Sequence, residues 1–432
     1  MKKITNTLLH EEYYYLTLNN GMHVYLYPKP KFHRTYGVFA TKFGSCDLEF
    51  YDPQTNELVV TPPGVAHFLE HKMFECSDGS DATDLFSEIG GESNAYTTYD
   101  KTAYLFTCTE NELENIQILL DFVQSPYFTN ENVNKEKGII EQELKMYLDR
   151  ASTAIYIQLL NNMYKKNHVR YDIGGTLESI NQIDEKILQQ CYDVFYHPSN
   201  MVLSLIGNFD LDKVIELIKQ NQDDKYFNVN NKIKRRYYLE DEKVVEEDTT
   251  SYMDITTPKV GCGVKFSVLG LDNKSIYKNM ILLDILMDMT FDESSDFYHR
   301  LLNKKIINNS FGYDTYFEPT YAHVTFTVDT LKVEEFKNEL YNELVNIKNK
   351  KIDQATFNRY KKIELANAIA RFNYLESIAN LIVDLDGLDL ELFDTIDIKN
   401  NIKVEDLNEI MKMFKEESIT FHTIYPTKNL SE

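Results

Sequence analysis

The sequence predicts an α+β protein of two homologous α/β-sandwich halves, each with an antiparallel-rich sheet covered by helices. The first reason is length, because 432 residues exceed one ordinary domain of roughly 100–200 residues. The second reason is an internal repeat. The strand-like run Gly37–Ser45 has a counterpart at Gly261–Leu269, and the alternating run Thr102–Thr109 has one at Ala322–Asp329. A hydrophobic fraction of 43% is enough for two packed cores.

The elements of the first half follow its first predicted strand in order. Pro62, Pro63 and Gly64 interrupt the chain, and the mostly apolar residues after them predict a short helix. A second helix follows, and then a hairpin whose first strand is Ser93–Thr97. This hairpin leads into a long amphipathic helix.

The second half repeats this order. After its first strand the sequence predicts a helix at Ser275–Met289 and another around Phe297–Lys305. A second hairpin begins at Ser310–Tyr316 and again leads into an amphipathic helix.

A charged stretch at Gln220–Thr250 separates the two halves and is typical of a solvated linker rather than a binding patch. We therefore expect a first half at residues 1–228, a linker at 229–250 and a second half at 251–432. The period of this repeat is far longer than that of a solenoid.

Composition excludes several classes of partner. The formal net charge is −23 at pH 7, so phosphate groups would be repelled, and we expect no nucleic-acid partner and no membrane partner. No run approaches the roughly 20 apolar residues of a membrane-spanning helix. The N-terminal sequence lacks an apolar core of signal-peptide length, and the five cysteines are scattered. These features predict a soluble cytoplasmic protein with reduced thiols.

Residues 67–71 read His-Phe-Leu-Glu-His, a spacing that places His67 and His71 on one helix face with Glu70 beside them. Two such imidazoles can chelate one metal ion, and an adjacent carboxylate can accept a proton from a water that the ion activates. Alternatively, the three side chains decorate a solvated face. The apolar residues around them favour a buried helix, where polar groups need a partner. The motif therefore predicts a zinc site.

A third metal ligand has to come from another segment, and the densest carboxylate cluster downstream contains Glu136, Glu141 and Glu143. On a helix, Glu136 and Glu143 lie two turns apart on one face, whereas Glu141 is rotated away from both. The spacing leaves Glu136 and Glu143 as alternatives.

Several segments resemble the inverzincin metallopeptidases, the family of pitrilysin, insulysin and the mitochondrial processing peptidases. The most specific are Gly64–Glu75, Asn94–Thr97 and Glu136–Glu143. Further matching segments are Asp121–Phe128, Tyr171–Ile180, and Phe195–Met201 with Ile206–Phe209. The resemblance is densest in the first half and is closest to half-length bacterial members of the family.

The resemblance implies roles for the polar residues. His67, His71 and Glu143 would bind Zn2+, Glu70 would be the general base, and Glu136 would support the site without binding the metal. A solvated helix carboxylate is the alternative for Glu136.

The resemblance also implies a peptide-binding edge. Asn94, Ala95, Tyr96 and Thr97 would line a free strand edge, to which an extended peptide substrate can add as a further strand. The alternative is an ordinary core strand with Tyr96 packed inside.

One departure from the family pattern bears on partners. Active members use an arginine and a tyrosine from the half without metal to bind the peptide and stabilise the developing oxyanion. This chain has His323 and Val324 near that position, and no arginine lies between Arg300 and Arg359. His323 could substitute, but an ordinary strand residue is the simpler interpretation.

Half-length family members associate so that two chains enclose a chamber. The resemblance therefore implies a dimer, either a heterodimer with a related chain that supplies the arginine and tyrosine pair, or else a homodimer. The predicted function is a zinc-dependent endopeptidase that cleaves peptides or leader segments in this chamber. The alternative is a non-catalytic or scaffold subunit, which the missing pair favours and the intact ligand set opposes.

Overall fold

A computed structural model describes residues 1–225 and 232–427 of the chain. Residues 226–231 and 428–432, which include the start of the predicted linker, lie outside the described residues. The chain forms two compact units. The first unit contains Met1–Leu144, Asp172–Arg236 and Ile369–Phe393. The second unit contains Lys145–Tyr171, Tyr237–Ala368 and the chain from Asp394 onward.

The first unit is built on a seven-stranded sheet with the order β1-β2-β3-β9-β4-β8-β7. Its strands are β1 (Lys2–Asn6), β2 (Glu11–Thr17), β3 (His23–Pro28), β4 (Thr35–Thr41), β7 (Gly91–Thr97), β8 (Thr102–Cys108) and β9 (Met201–Gly207). A smaller sheet of order β10-β5-β6 lies in the same unit. Its strands are β5 (Glu49–Tyr51), β6 (Leu58–Val60) and β10 (Lys234–Arg235).

The second unit is built on a five-stranded sheet with the order β11-β15-β12-β14-β13. Its strands are β11 (Asp248–Met253), β12 (Lys259–Phe266), β13 (Gly312–Phe317), β14 (Ala322–Asp329) and β15 (Ile419–Pro426). The order matches that of β3-β9-β4-β8-β7 in the first unit. In both sheets the first of these pairs is parallel and the other three are antiparallel. The predicted α+β class, with two similar antiparallel-rich halves, is confirmed.

Helices cover both sheets. Those of the first unit are α1 (Val65–Lys72), α2 (Ala82–Glu88), α3 (Glu112–Val123), α4 (Asn130–Leu148), α6 (Leu177–Ile180), α7 (Glu185–Phe195), α8 (Leu211–Asp223) and α13 (Leu375–Gly387), with the last turn of α4 continuing into the second unit. Those of the second unit are α5 (Ala151–Met163), α9 (Asn273–Phe291), α10 (Asp296–Asn303), α11 (Val333–Asn346), α12 (Gln354–Ala370), α14 (Asp394–Asn401) and α15 (Leu407–Lys412). None of the helices in the described ranges has the length and apolar content needed to cross a bilayer.

The predicted elements of both halves are present, with shifted ends. The predicted strand Gly37–Ser45 is β4, which ends at Thr41, and its counterpart is β12, which ends at Phe266. Both predicted hairpins are confirmed as β7–β8 and β13–β14, and each leads into a long helix, α3 or α11.

Two segments cross between the predicted halves. Helix α5 precedes residue 228 but packs on β12 and β15 of the second unit. Helix α13 follows residue 250 but packs on β4 and β9 of the first unit, where Asp386 pairs with Lys42 at 2.8 Å. The predicted boundaries at residues 228 and 250 follow the internal repeat of the sequence. The two compact units follow contacts in the fold, which is a different criterion, so the predicted boundaries stay a prediction.

Candidate metal centre

Helix α1 starts at a close crossing of two chain segments. Gly64, at its N-terminus, has φ of +92°, a conformation that side-chain-bearing residues rarely adopt. A Cβ at Gly64 would lie 2.5 Å from the carbonyl oxygen of Gly174, and one at Gly175 would lie 2.4 Å from that of Pro63. The glycines therefore let the segment before α6 lie against the segment that leads into α1, and this contact fixes where α1 begins.

The two faces of α1 differ in chemistry. One face is fully buried and consists of Val65, Ala66, Phe68 and Leu69. The other presents His67, Glu70 and His71, which are half-buried. Because the apolar face is fixed in the core, the polar face cannot rotate away from the elements opposite it.

Helix α4 brings two carboxylates to this polar face. The Glu143 carboxylate oxygen Oε2 lies 3.9 Å from His67 Nε2 and 3.5 Å from His71 Nε2. Glu136 Oε1 lies 3.1 Å from His71 Nδ1. Glu141 instead accepts a hydrogen bond from Asn181 on the other side of the helix. The geometry thus separates the two carboxylates that the spacing left as alternatives.

His67, His71 and Glu143 can each bring one ligand atom to within 4.8 Å of the others. Two ligand atoms bound tetrahedrally to one ion, each at about 2.0–2.2 Å, lie about 3.3–3.5 Å apart. The observed separations between Glu143 and the two imidazoles therefore need little adjustment. Two imidazole nitrogens and one carboxylate oxygen are also the donor set of several catalytic zinc sites.

The two histidines have different environments. Burial lowers the pKa of His67 to about 3, and the nearby His71 ring acts in the same direction. His67 Nδ1 is buried and has no hydrogen-bond partner among the described residues, which also disfavours a second ring proton. Burial acts to lower the pKa of His71 as well, but the carboxylates of Glu136, Glu143 and Glu70 together outweigh it and raise that pKa. His67 is therefore neutral at pH 7, the form in which an imidazole binds a metal.

Glu70 lies between the two histidines and faces β7. The Thr97 hydroxyl donates a hydrogen bond of 2.5 Å to Glu70 Oε2. Burial raises the pKa of Glu70, and the Thr97 hydrogen bond acts against that rise. No hydrogen-bond partner of Oε1 is found in the part of the chain that the structure describes, so this oxygen is free to exchange a proton.

Strand β7, which contains Asn94 to Thr97, is an edge strand. It pairs with β8 on one side, and no strand within residues 1–225 and 232–427 pairs with its other side. Asn94 is exposed, whereas Ala95 and Tyr96 are half-buried. The Tyr96 hydroxyl donates to Asn380 Oδ1 of α13 at 2.7 Å, so this ring is held by a contact of its own.

A cavity of about 590 Å³ opens beside this edge. Glu70, His71 and Glu136 form its metal-site wall, and Asn94 and Ala95 form its strand wall. Two carboxylates, one imidazole and the strand edge therefore face one space that is large enough for several residues of an extended peptide.

His323, near the position expected for the family's arginine and tyrosine, is fully buried in β14. Its Nδ1 lies 3.1 Å from the Tyr164 hydroxyl, and both residues belong to the second unit. A side chain without solvent exposure cannot bind a peptide, so His323 is an ordinary strand residue.

Sequence comparisons identify the family. The model of the insulinase family, peptidase family M16, matches residues 60–177, and the model of the M16 inactive domain matches residues 182–364. The uncharacterized zinc protease YmfH of Bacillus subtilis (strain 168) is 36% identical over 416 residues, which cover 95% of this chain and 96% of YmfH. The chain belongs to peptidase family M16. Its predicted inverzincin resemblance is confirmed.

Solved structures of M16 proteins share the fold. A crystal structure from Alicyclobacillus acidocaldarius, described as that of an M16-like peptidase, is 31% identical with a TM-score of 0.92 over 98% of this chain and 100% of that one. The periplasmic protease PqqL of Escherichia coli is 18% identical with a TM-score of 0.70. It matches 96% of this M16 chain but only 47% of its own length.

Two features of this M16 site were not predicted. The side-chain contact of Thr97 with Glu70 was missed because Thr97 was considered only for its backbone on the strand edge. The contact of Tyr96 with Asn380 was missed because these residues are far apart in the sequence. The run Tyr171–Ile180 did carry a signal, since its adjacent glycines are the ones that contact the start of α1.

Proposed function

We propose that this M16 chain is a zinc-dependent endopeptidase with His67, His71 and Glu143 as metal ligands and Glu70 as general base. The observation that carries the proposal is the convergence of two imidazoles and a carboxylate within 4.8 Å, with a second carboxylate beside a free strand edge. Glu136 would orient His71 through Nδ1, the outer-shell role common at metal-bound histidines.

Extended peptides are the substrates that this site fits best. An edge strand offers backbone donors and acceptors that do not depend on the substrate sequence. Asn94, Ala95, Tyr96 and Thr97 would supply that edge, and the adjoining cavity would receive side chains of the peptide. Folded proteins cannot present such a strand, so flexible peptides or leader segments are the proposed class.

When bound, zinc supplies a Lewis acid for the scissile carbonyl and lowers the pKa of a water that it binds. Glu70 accepts the proton of the attacking water at Oε1, because Oε2 is already engaged by Thr97. Glu70 then delivers that proton to the leaving amine, which restores the carboxylate. Strand β7 holds the peptide backbone in register during both steps.

The proposed working form contains two chains. No arginine lies between residues 300 and 359, and His323 is buried, so the pair that binds substrate in the family would come from elsewhere. The match to only 47% of PqqL agrees with a chain that is half of a larger assembly. A related chain that carries the arginine and tyrosine is the first candidate, and a second copy is the other. We place this assembly in the cytoplasm, where the five unbridged cysteines would stay reduced.

The same missing arginine favours a second candidate, a non-catalytic or scaffold subunit of a two-chain assembly. In that case the metal site would stabilise the first unit without turnover. The match to the M16 inactive domain covers residues 182–364, which contain none of the proposed metal ligands, so it is compatible with either role.

The test is cleavage of a mixed peptide library by purified chain whose zinc content has been measured, followed by mass spectrometry. Glu70→Gln is the control, since it keeps the size and the metal ligands but cannot accept a proton. Zinc-dependent cleavage that the variant lacks would support the enzyme. Stoichiometric zinc without cleavage, alone and together with a related chain, would support the scaffold.

A further inference from the structure

The Thr97 side chain contacts the proposed base as well as belonging to the strand edge. Its hydroxyl lies 2.5 Å from Glu70 Oε2, a short hydrogen bond to a carboxylate that is mostly buried.

The hydroxyl of Thr97 has two oxygen acceptors within reach. Thr102 faces Thr97 across the hairpin, with 3.3 Å between the two hydroxyl oxygens. The Thr102 hydroxyl donates to the buried carbonyl oxygen of Phe43 at 2.9 Å, so toward Thr97 it can only accept. The Glu70 carboxylate oxygen is the closer and stronger acceptor, at 2.5 Å, so Thr97 donates its proton to Glu70.

The strand that carries Thr97 is held in place by α13 and by the hairpin turn. The Tyr96 hydroxyl donates to Asn380 at 2.7 Å, and the Lys101 ammonium pairs with Asp384 at 2.9 Å. The turn of the hairpin is closed by a hydrogen bond of 2.8 Å from the Thr98 backbone nitrogen to the Lys101 carbonyl oxygen. A donor on such an anchored hairpin can fix a carboxylate in one orientation.

We propose that Thr97 is a positioning residue for the base. Its hydroxyl holds Oε2 of Glu70, so that Oε1 remains the oxygen that exchanges a proton with the attacking water. This inference rests on the proposed function. It differs from the role of Thr97 in the strand edge, because that role uses the backbone and any residue with a backbone N–H and C=O supplies it.

Turnover measurements on three variants test the proposal. Thr97→Val removes the hydroxyl at nearly constant volume, and we expect kcat to fall about 10- to 100-fold, the factor carried by a hydrogen bond to a charged group. KM should stay within about twofold, because the strand backbone is unchanged. Thr97→Ser should restore kcat to within about threefold of wild type, since the donor returns. Thr98→Val is the matched control, because its hydroxyl bonds Asp100 and the Lys101 backbone instead of Glu70, and so it reports the effect of loosening the hairpin turn alone.

Two results would overturn the proposal. One is an unchanged kcat in Thr97→Val, and the other is a rise in KM alone, which would show that the side chain binds substrate. Failure of Thr97→Ser to recover would also count against it, because the loss would then follow from packing.

A second measurement needs no turnover. Urea unfolding of Thr97→Val, Glu70→Ala and the double variant, all without zinc, gives the coupling between the two side chains. We expect Thr97→Val to change the unfolding equilibrium constant at least about threefold less in the Glu70→Ala background than in wild type. Additive effects would overturn the contact. Coupling together with a wild type that is inactive both alone and with a related chain would overturn the proposed function, and the role of Thr97 with it.

Discussion

The buried side chain of His323 makes it possible to test whether the interior of the second unit holds an imidazole in its neutral form. The Tyr164 hydroxyl donates its proton to the carbonyl oxygen of Ala322 at 3.0 Å, so it can only accept from His323 Nδ1. The imidazole is then neutral with its proton on Nδ1. Its Nε2 is buried and has no partner among the described residues, so a second proton there would have no acceptor. Burial accordingly lowers the pKa of His323 to about 3.

The effect of His323 on the free energy of unfolding follows from the difference between its pKa in the folded chain and its pKa in the unfolded chain. An unfolded histidine has a pKa of about 6.5, so the unfolded chain binds a proton below that pH and the folded chain does not until about pH 3. Stability from this residue is therefore complete above pH 6.5 and is lost as pH falls toward 3. Between pH 7.5 and pH 5.0 the loss is about 2 kcal/mol, a large share of a typical total of about 5–15 kcal/mol.

The assay is urea unfolding of zinc-free protein at the two pH values. Far-ultraviolet circular dichroism is the probe, because the chain has no tryptophan. His323→Asn cannot titrate, so its loss of unfolding free energy between pH 7.5 and 5.0 should be smaller than that of wild type by about 2 kcal/mol. His299→Asn, at an exposed position of the same unit, should behave as wild type does. An equal loss of unfolding free energy between pH 7.5 and 5.0 in His323→Asn and wild type would refute the conclusion that His323 is neutral and shielded from water.

Three further predictions concern the metal site, a buried carboxyl of the second unit and the start of α1. Glu136→Gln should weaken zinc binding about 10- to 100-fold and Glu143→Gln should weaken it more, as measured by competition with a chelating dye; equal effects would contradict their separate roles. Asp284→Asn should stabilise the protein by about 1–3 kcal/mol at pH 7.5 but not at pH 3.5, because burial raises the pKa of Asp284 from 3.8 to about 6, so its cost to stability grows as pH rises above 3.8 and is complete above about pH 6. Gly64→Ala should cost more unfolding free energy than the roughly 1–2 kcal/mol of left-handed strain, because its Cβ would meet a backbone oxygen. Gly270→Ala has the same positive φ with open space around it, so it measures the strain alone.

Local patterns predicted much of the site. The i, i+4 spacing of His67 and His71 fixes their shared face on any helix, and the apolar residues between them identify the buried side. The two-turn spacing narrowed the third ligand to Glu136 and Glu143 but could not separate them. Their difference arises from how α4 lies against α1, which is set by contacts distant in sequence.

The strands and helices were predictable from local sequence patterns, whereas the division of the chain into two units was not. Hairpins and amphipathic helices depend on neighbouring residues, so β7–β8 and β13–β14 were expected from alternation alone. The positions of α5 and α13 depend on which sheet buries their apolar faces. Chain order places each helix in one half, whereas packing places it in the other unit.

The position of α13 has a consequence for synthesis. The sheet of the first unit is complete once β9 has emerged from the ribosome, but its α13 contacts come from residues that follow Tyr237–Ala368 of the second unit. Until α13 has been synthesised, Tyr25 and Lys42 lack their contact with Asp386, and Tyr96 lacks its contact with Asn380. The usual order, in which N-terminal domains fold first during synthesis, is thus unavailable to this unit. A nascent chain that has not reached α13 carries the metal ligands without this support for the strand beside them, so the complete site forms only after α13 has been made.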